Sequence, residues 1–194
     1  MIRIISEAIT KWLESEGTVA CNERTLFQYA AYSFLFGMLP IGIALIWGIC
    51  FGMIREGIVL MIPYMLLRKF SGGFHLKSSG LCLVITTGVL ALSMVLSKYI
   101  ASTENARILT FFVSLSVLVL CIFSPIENQS RKLTDKERIL FRMIARILAI
   151  LSFILYLLLL RSVSVRYISA FGVGILLVGL LQIPCIISRY LHRT

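Results

Sequence analysis

The chain has 194 residues, of which 59% are hydrophobic, and its mean hydropathy is +0.95. These values exclude an ordinary soluble domain and are typical of a membrane protein with several spans. The 19 Lys and Arg residues outnumber the 9 Asp and Glu residues, and the net charge of +10 favours contact with anionic membrane lipids. No basic region is interleaved with exposed aromatic residues in a soluble segment, so nucleic acid is not an expected partner.

The first 24 residues carry seven charges and no continuous apolar core, which does not fit a secretory signal peptide. Their apolar residues recur at spacings of three and four, opposite charged residues: Ile2, Ile5, Ile9, Trp12 and Leu13. This pattern predicts an amphipathic helix that lies at the membrane interface. Docking of a partner protein is the alternative role for the same face.

Residues 25–194 predict an all-α polytopic integral membrane bundle with about six apolar helical segments. These segments are 27–47, 53–70, 79–97, 108–125, 139–160 and 167–187. A span needs about 20 mainly apolar residues, and the second and fifth segments fit this least well, so we expect four to six full spans. Nothing between the segments is long enough for a soluble core, which predicts a single domain over 1–194.

The basic residues predict the orientation of the bundle. With six spans, one side holds 14 Lys and Arg residues in 1–26, 68–79, 126–146 and 188–194, and the opposite side holds 5. The positive-inside rule places the richer side in the cytoplasm. Both termini and the loop that carries His75 are then cytoplasmic.

A polar run from Arg68 to His75 lies between apolar segments, and Cys82 follows His75 by seven residues. An imidazole and a thiol are the minimum equipment of a cysteine nucleophile with its general base. The five cysteines show neither CxxC spacing nor a histidine cluster, so we expect no metal site, no disulfide framework and no cofactor. The group that orients His75 stays open among Gln28, Glu127, Asn128, Gln129 and Asp135.

A continuous helix would separate His75 and Cys82 by about 10.5 Å along its axis, which is too far for contact. Gly72 and Gly73 permit a backbone turn that brings the two side chains together. Ser78 or Ser79 is a suitable N-cap for the third segment. Cys82 then lies in the first turn of that helix, where the helix dipole favours a thiolate. Positive charge nearby comes from Lys77, Lys69 and Arg68.

Between Arg68 and Cys82 the chain reads RKFSGGFHLKSSGLC, which resembles the signature of the accessory gene regulator protein B (AgrB) family. The chain length, the amphipathic N-terminal segment and the basic loop after the fourth segment are similar to that family as well. The resemblance implies that His75 and Cys82 are the catalytic pair and that Arg68 and Gly73 are further motif positions. Leu76 departs from the small residue often found there.

The same resemblance implies a function and a location. It implies a cysteine endopeptidase in the cell membrane of a Gram-positive bacterium, which cleaves a short AgrD-like precursor peptide. Through an acyl-enzyme thioester, the enzyme would promote cyclisation of the peptide to a thiolactone or lactone quorum-sensing signal. The alternatives are a small transporter or peptide export component without peptidase activity, and a membrane scaffold without catalysis.

Two further patterns concern binding. Arg138, Arg142 and Arg146 recur every four residues and form one basic stripe, next to Arg131 and Lys132. The stripe is expected to contact anionic headgroups or to hold an acidic part of the precursor. The last segment contains small residues at close spacing, Gly172, Gly174 and Gly179. They suit packing within the bundle, which we favour, or a homodimer seam.

Overall fold

The computed structural model describes residues 2–16, 23–72, 79–103, 106–126 and 135–191. Within these ranges the chain forms seven α-helices and no strand, which confirms the predicted all-α class. They are α1 (Ile2–Ser15), α2 (Arg24–Phe51), α3 (Ile54–Ser71), α4 (Ser79–Thr103), α5 (Ala106–Phe123), α6 (Asp135–Ser162) and α7 (Val165–Leu191). The chain divides into two compact units, Met1–Ile43 and Ala44–Thr194.

Five helices of the described chain are long and apolar enough to cross a membrane, namely α2, α4, α5, α6 and α7. This number lies within the predicted four to six spans, and the chain is an integral membrane protein. The remaining predicted segment corresponds to α3, which carries four charges within 18 residues. Those charges, at Arg55, Glu56, Arg68 and Lys69, lower its hydropathy below that of a span.

α3 is nevertheless as long as α5, at 18 residues or about 27 Å. One face of α3 is buried in the bundle, including Leu60, Tyr64 and Leu67. The opposite face carries an apolar stripe at every fourth residue, each member about half exposed: Ile54, Ile58, Ile62 and Leu66. α3 therefore presents apolar residues outward along its length, while its charged residues lie near its two ends.

In the first unit, α1 is tied to the start of α2 by polar contacts. Gln28 Nε2 donates a hydrogen bond to Glu7 Oε1 at 3.1 Å, and Arg24 pairs with Glu14 at 3.6 Å. Ser6 and Thr10 are buried, whereas most of the described apolar residues of α1 stay exposed, including Ile4, Ile5, Ile9 and Trp12. An apolar face left exposed in this way is what an interfacial helix requires.

In the second unit, α7 lies at the centre of the packing. In α7, 56% of the apolar membrane span is buried within the protein, whereas 22–28% of the corresponding spans of α4, α5 and α6 is buried. α7 runs parallel to α3, because Gly174 lies beside Leu60 and Gln182 contacts Ser71. α4 and α6 run in the opposite direction. The end of α3, the start of α4, the end of α5 and the start of α6 consequently lie at one end of this unit.

Small residues on α7 permit this close packing. A Cβ added at Gly174 would overlap the carbonyl oxygen of Leu60, and one added at Gly179 would lie 2.6 Å from Ser116 Cβ. A Cβ at Gly172 would lie 2.8 Å from the Tyr156 ring. The predicted packing within the bundle is confirmed, and a homodimer stays a prediction.

Candidate active site

A cluster of polar groups joins the ends of α3 and α5 to α7. Ile126 N donates to Ser71 O at 3.0 Å, and Gln182 Nε2 donates to Ser71 O at 3.2 Å and to Ser124 Oγ at 2.8 Å. The last carbonyl groups of a helix lack donors within the helix, and these contacts supply one. We call Ser71, Gly72, Ser124, Ile126 and Gln182 the polar clasp.

Gln182 is wholly buried within the polar clasp. Its amide nitrogen faces two acceptors, and its Oε1 has no hydrogen-bond partner among the described residues. An unpaired buried oxygen is costly, so this cost offsets part of the stabilisation from the two hydrogen bonds that Gln182 donates. The clasp ends at Gly72, directly before the segment that carries His75 in the sequence.

Gly72 ends α3 with φ +72° and ψ −162°, a conformation that side chains other than glycine rarely adopt. Gly72 also forms an isolated bridge with Ile126. A Cβ at Gly72 would overlap the carbonyl oxygen of Ile126. Conformation and contact thus both require glycine, and the expected positive φ is present at Gly72. The turn that would bring His75 to Cys82 stays a prediction. Gly73, His75 and Lys77 lie outside the described residues.

Cys82 is the fourth residue of α4, which begins at Ser79. It therefore lies in the first turn, as expected, with the helix start one residue earlier than a Ser79 N-cap implies. Its side chain is 9% exposed. Of the other described cysteines, Cys50 is exposed, whereas Cys121 and Cys185 are partly buried.

The Cys82 side chain lines a cavity of about 30 Å³ between α3, α4 and α7. This volume accommodates about two water molecules. The polar residues of its wall are Tyr64, Arg68, Cys82 and Thr86, and aliphatic side chains of α4 and α7 complete it. Side chains that carry one thiol, one guanidinium and two hydroxyl groups thus line one small space that is otherwise apolar.

Arg68 reaches this cavity from the last turns of α3. Its Nη1 donates a hydrogen bond to the Tyr64 hydroxyl group, and its Cζ lies 5.3 Å from the centroid of the Tyr64 ring. Arg68 also lies within electrostatic range of Cys185 on α7. Lys69, which was expected to add charge at the site, is exposed and lies 5.6 Å from the Phe70 ring instead.

The three arginines of the predicted basic stripe on α6 have different surroundings in the structure. Arg142 is exposed, Arg138 is partly buried, and Arg146 Nε donates to Cys121 O at 2.9 Å. In a continuing helix this carbonyl group would accept from the N–H of residue 125, which is a proline and has none. Arg146 therefore caps the end of α5. Arg131 and Lys132 lie outside the described residues.

The sequence-based analysis missed two residues, Tyr64 and Gln182. Tyr64 lies one turn before Arg68 on α3, so the spacing i, i+4 was the available signal. Gln182 is the only carboxamide in the long uncharged run of the last span, where polar side chains usually find a partner on another helix. Of the residues left open to orient His75, Gln28 contacts Glu7, and the side chains of Asp135 and residues 127–129 are not described.

Comparisons with known proteins agree on one family. The model of the accessory gene regulator B family matches residues 5–186. Two AgrB-like proteins of Clostridium perfringens are similar to the chain. The one named AgrB-like protein 2, from strain 13, is 26% identical over 71% of this chain and 67% of its own length. The other, from strain SM101, is 23% identical over the same shares. No solved structure matches the chain significantly.

Proposed function

We propose that this chain, which belongs to the accessory gene regulator B family, is a membrane-embedded cysteine endopeptidase. Membership of the family places the chain in the agr quorum-sensing system and implies an AgrD-type precursor as its substrate. The enzyme cleaves this precursor and closes it into a thiolactone or lactone ring. Cys82 is the nucleophile, and His75 transfers the protons.

The observation that carries this proposal is the position of Cys82, in the first turn of α4 and in one cavity with Arg68. The N-terminus of a helix carries partial positive charge, and Arg68 adds a full one. Both would stabilise a negative charge that develops at this position. Cys50 and Cys121 lie in the last turns of α2 and α5, where the helix carries partial negative charge instead.

The reaction proceeds in two steps. The Cys82 thiolate attacks the carbonyl carbon at the C-terminal edge of the future ring, and a carbon–sulfur bond forms. The carbon–nitrogen bond then breaks as His75 protonates the leaving amine, which yields an acyl-enzyme thioester. A Cys or Ser side chain of the peptide gives its proton to His75, attacks the thioester and releases Cys82.

Burial of Cys82 suits the second step. Water would hydrolyse the thioester and yield a linear peptide, so a site with little room for water favours ring closure. The Cys82 side chain is only 9% exposed, and its cavity is walled largely by aliphatic residues such as Leu177 and Leu181. Exchange of one thioester for another also keeps most of the activation of the acyl group.

The polar clasp supports the proposed orientation. It joins the ends of α3 and α5, so the segments after residues 72 and 126 leave from the same end of the bundle. With α3 counted as a sixth crossing, the positive-inside rule predicts that both segments and both termini are cytoplasmic. An acidic part of the precursor then meets basic residues at this end, which we propose to be Arg131, Lys132, Arg138 and Arg142, close to anionic lipids.

Reconstitution with a synthetic precursor tests the function. The purified protein in vesicles is mixed with the peptide, and mass spectrometry identifies linear and cyclic products. Cys82→Ala and His75→Ala are each expected to lose cleavage by at least 1000-fold. Cys50→Ala and Cys121→Ala are the matched controls and should retain it. Cleavage at the normal rate without Cys82 would refute the proposal.

A further inference from the structure

Tyr64 is a wholly buried residue that lines the same cavity as Cys82. Its side chain is 1% exposed, and its hydroxyl oxygen accepts a hydrogen bond from Arg68 Nη1. A hydroxyl group that accepts one bond can still donate its own proton. Among the described residues, no acceptor takes that proton. Tyr64 therefore holds a free donor at a cavity that it shares with the thiol.

Arg68 strengthens this donor. A bond from a cationic guanidinium draws electron density from the phenol oxygen and polarises its O–H bond. The guanidinium also lies against the ring, with Cζ 5.3 Å from its centroid, which holds both side chains in place. The i, i+4 spacing on α3 places the two side chains next to each other on one face of the helix.

The positive charge of Arg68 is not balanced by a negatively charged side chain among the described residues. Arg68 is only partly exposed and has no carboxylate partner within the part of the chain that the structure describes. A cation in a largely apolar wall is stabilised by a nearby negative charge. Attack of a thiolate on a peptide carbonyl creates such a charge, because the carbonyl π electrons move to the oxygen as the carbon–sulfur bond forms.

We infer that Tyr64, held and polarised by Arg68, is the catalytic residue that donates a hydrogen bond to the oxyanion formed when Cys82 attacks the precursor. This inference rests on the proposed peptidase function. Arg68 acts as the positioning residue, and its positive charge stabilises the oxyanion. When the intermediate collapses, the electrons return to the carbonyl group and the phenol keeps its proton.

The test is Tyr64→Phe, which removes one oxygen atom and keeps the ring. Loss of an oxyanion donor lowers kcat by about 100-fold or more, whereas KM should change by less than about threefold. The rate at which a small maleimide labels Cys82 should stay near that of the wild type, since the thiol itself is untouched. Arg68→Lys keeps the charge but changes the geometry of hydrogen-bond donation. Its kcat should lie between those of the wild type and Tyr64→Phe.

Tyr156→Phe is a matched control at the other end of the bundle. Tyr156 is also wholly buried, and its hydroxyl group is 3.1 Å from Thr110 Oγ1. The same oxygen is removed from the same residue type, so loss of stability should be similar, but kcat should stay unchanged. An equal fall in kcat for both variants would mean a general structural effect and would overturn the inference.

The outcome separates this inference from the proposed function. If the wild type cleaves the precursor and Tyr64→Phe keeps more than a third of its kcat, Tyr64 is not the oxyanion donor, and the peptidase proposal stands. If neither the wild type nor Cys82→Ala cleaves the precursor, the peptidase proposal fails, and the inference about Tyr64 fails with it. A large loss of kcat confined to Tyr64→Phe and Arg68→Lys supports the inference.

Discussion

Four glycines allow the geometry of the polar clasp to be tested by a single type of substitution, Gly→Ala. Gly72 combines a positive φ of 72° with a forbidden contact to the Ile126 carbonyl oxygen. Gly52 has a φ of 66° and no neighbour within 4 Å of an added Cβ. Gly174 is helical and lacks only space, and Gly88 is helical with open space. The four positions thus separate backbone strain from steric overlap.

The expected costs follow from these differences. At Gly72, the backbone region costs about 1–3 kcal/mol for alanine, and loss of the Ile126 N–Ser71 O bond adds about 1 kcal/mol. A total of about 3 kcal/mol lowers the melting temperature of a chain of this size by roughly 6–12 °C. Gly52→Ala carries only the strain, about 1 kcal/mol.

The two helical positions complete the comparison. Gly174→Ala forces α7 away from the Leu60 carbonyl group, and overpacking of this kind costs about 2 kcal/mol. Gly88→Ala should leave the melting temperature unchanged or raise it slightly, because alanine is the better helix former by about 1 kcal/mol.

Thermal unfolding in detergent is monitored as the fraction of protein that stays monodisperse after heating. Precursor cleavage is measured separately, at a temperature where all four variants are folded. Gly72→Ala should be the least stable and should also lose cleavage, because the substituted residue directly precedes the segment with the proposed catalytic His75. Gly52→Ala should cleave normally. If Gly72→Ala and Gly52→Ala melt within 2 °C of each other, the close approach of Ile126 to Gly72 is wrong.

Two further predictions concern buried and capping hydrogen bonds. Gln182→Met removes the donor to Ser71 O and Ser124 Oγ, which should lower stability by about 2 kcal/mol. In a double-mutant cycle with Ser124→Ala, the losses should be less than additive in thermal unfolding, and full additivity would contradict the bond. Arg146→Ala removes the cap on Cys121 O and should lower the melting temperature by about 2–4 °C. Arg142→Ala, one turn earlier and exposed, serves as its control, and an equal shift for both would refute the capping role.

Most of the fold was predictable because the length of an apolar run is local information. The predicted third segment, 79–97, begins at the same residue as α4, which extends to Thr103. The uncharged core of the fifth segment is too short to span, and α6 gains length by including the basic residues from Lys136 onward. The position of Cys82 in a first turn was also local, since serine and glycine residues precede an apolar run.

The role of Arg146 could not be predicted, although its cause is partly visible in the sequence. Pro125 leaves the Cys121 carbonyl group without its usual donor, but which side chain supplies the replacement depends on how α6 lies against α5. A basic stripe at every fourth residue looks the same whether its members contact lipid, peptide or a helix end. Only the tertiary contact distinguishes Arg146 from Arg142.

The juxtaposition of Tyr64 with Cys82 depends on the register of two antiparallel helices. At the far end of the pair, an added Cβ at Gly57 would lie 2.7 Å from Met94 Cε, so the side chain of Met94 on α4 reaches α3 there. Eleven residues further along α3 is Arg68, and twelve residues back along α4 is Cys82, so these two are level with each other. Tyr64 then lies about one turn below, facing the same cavity. The contact that indicates this register thus lies about 16 Å from the site, outside the stretch of sequence that the motif covers.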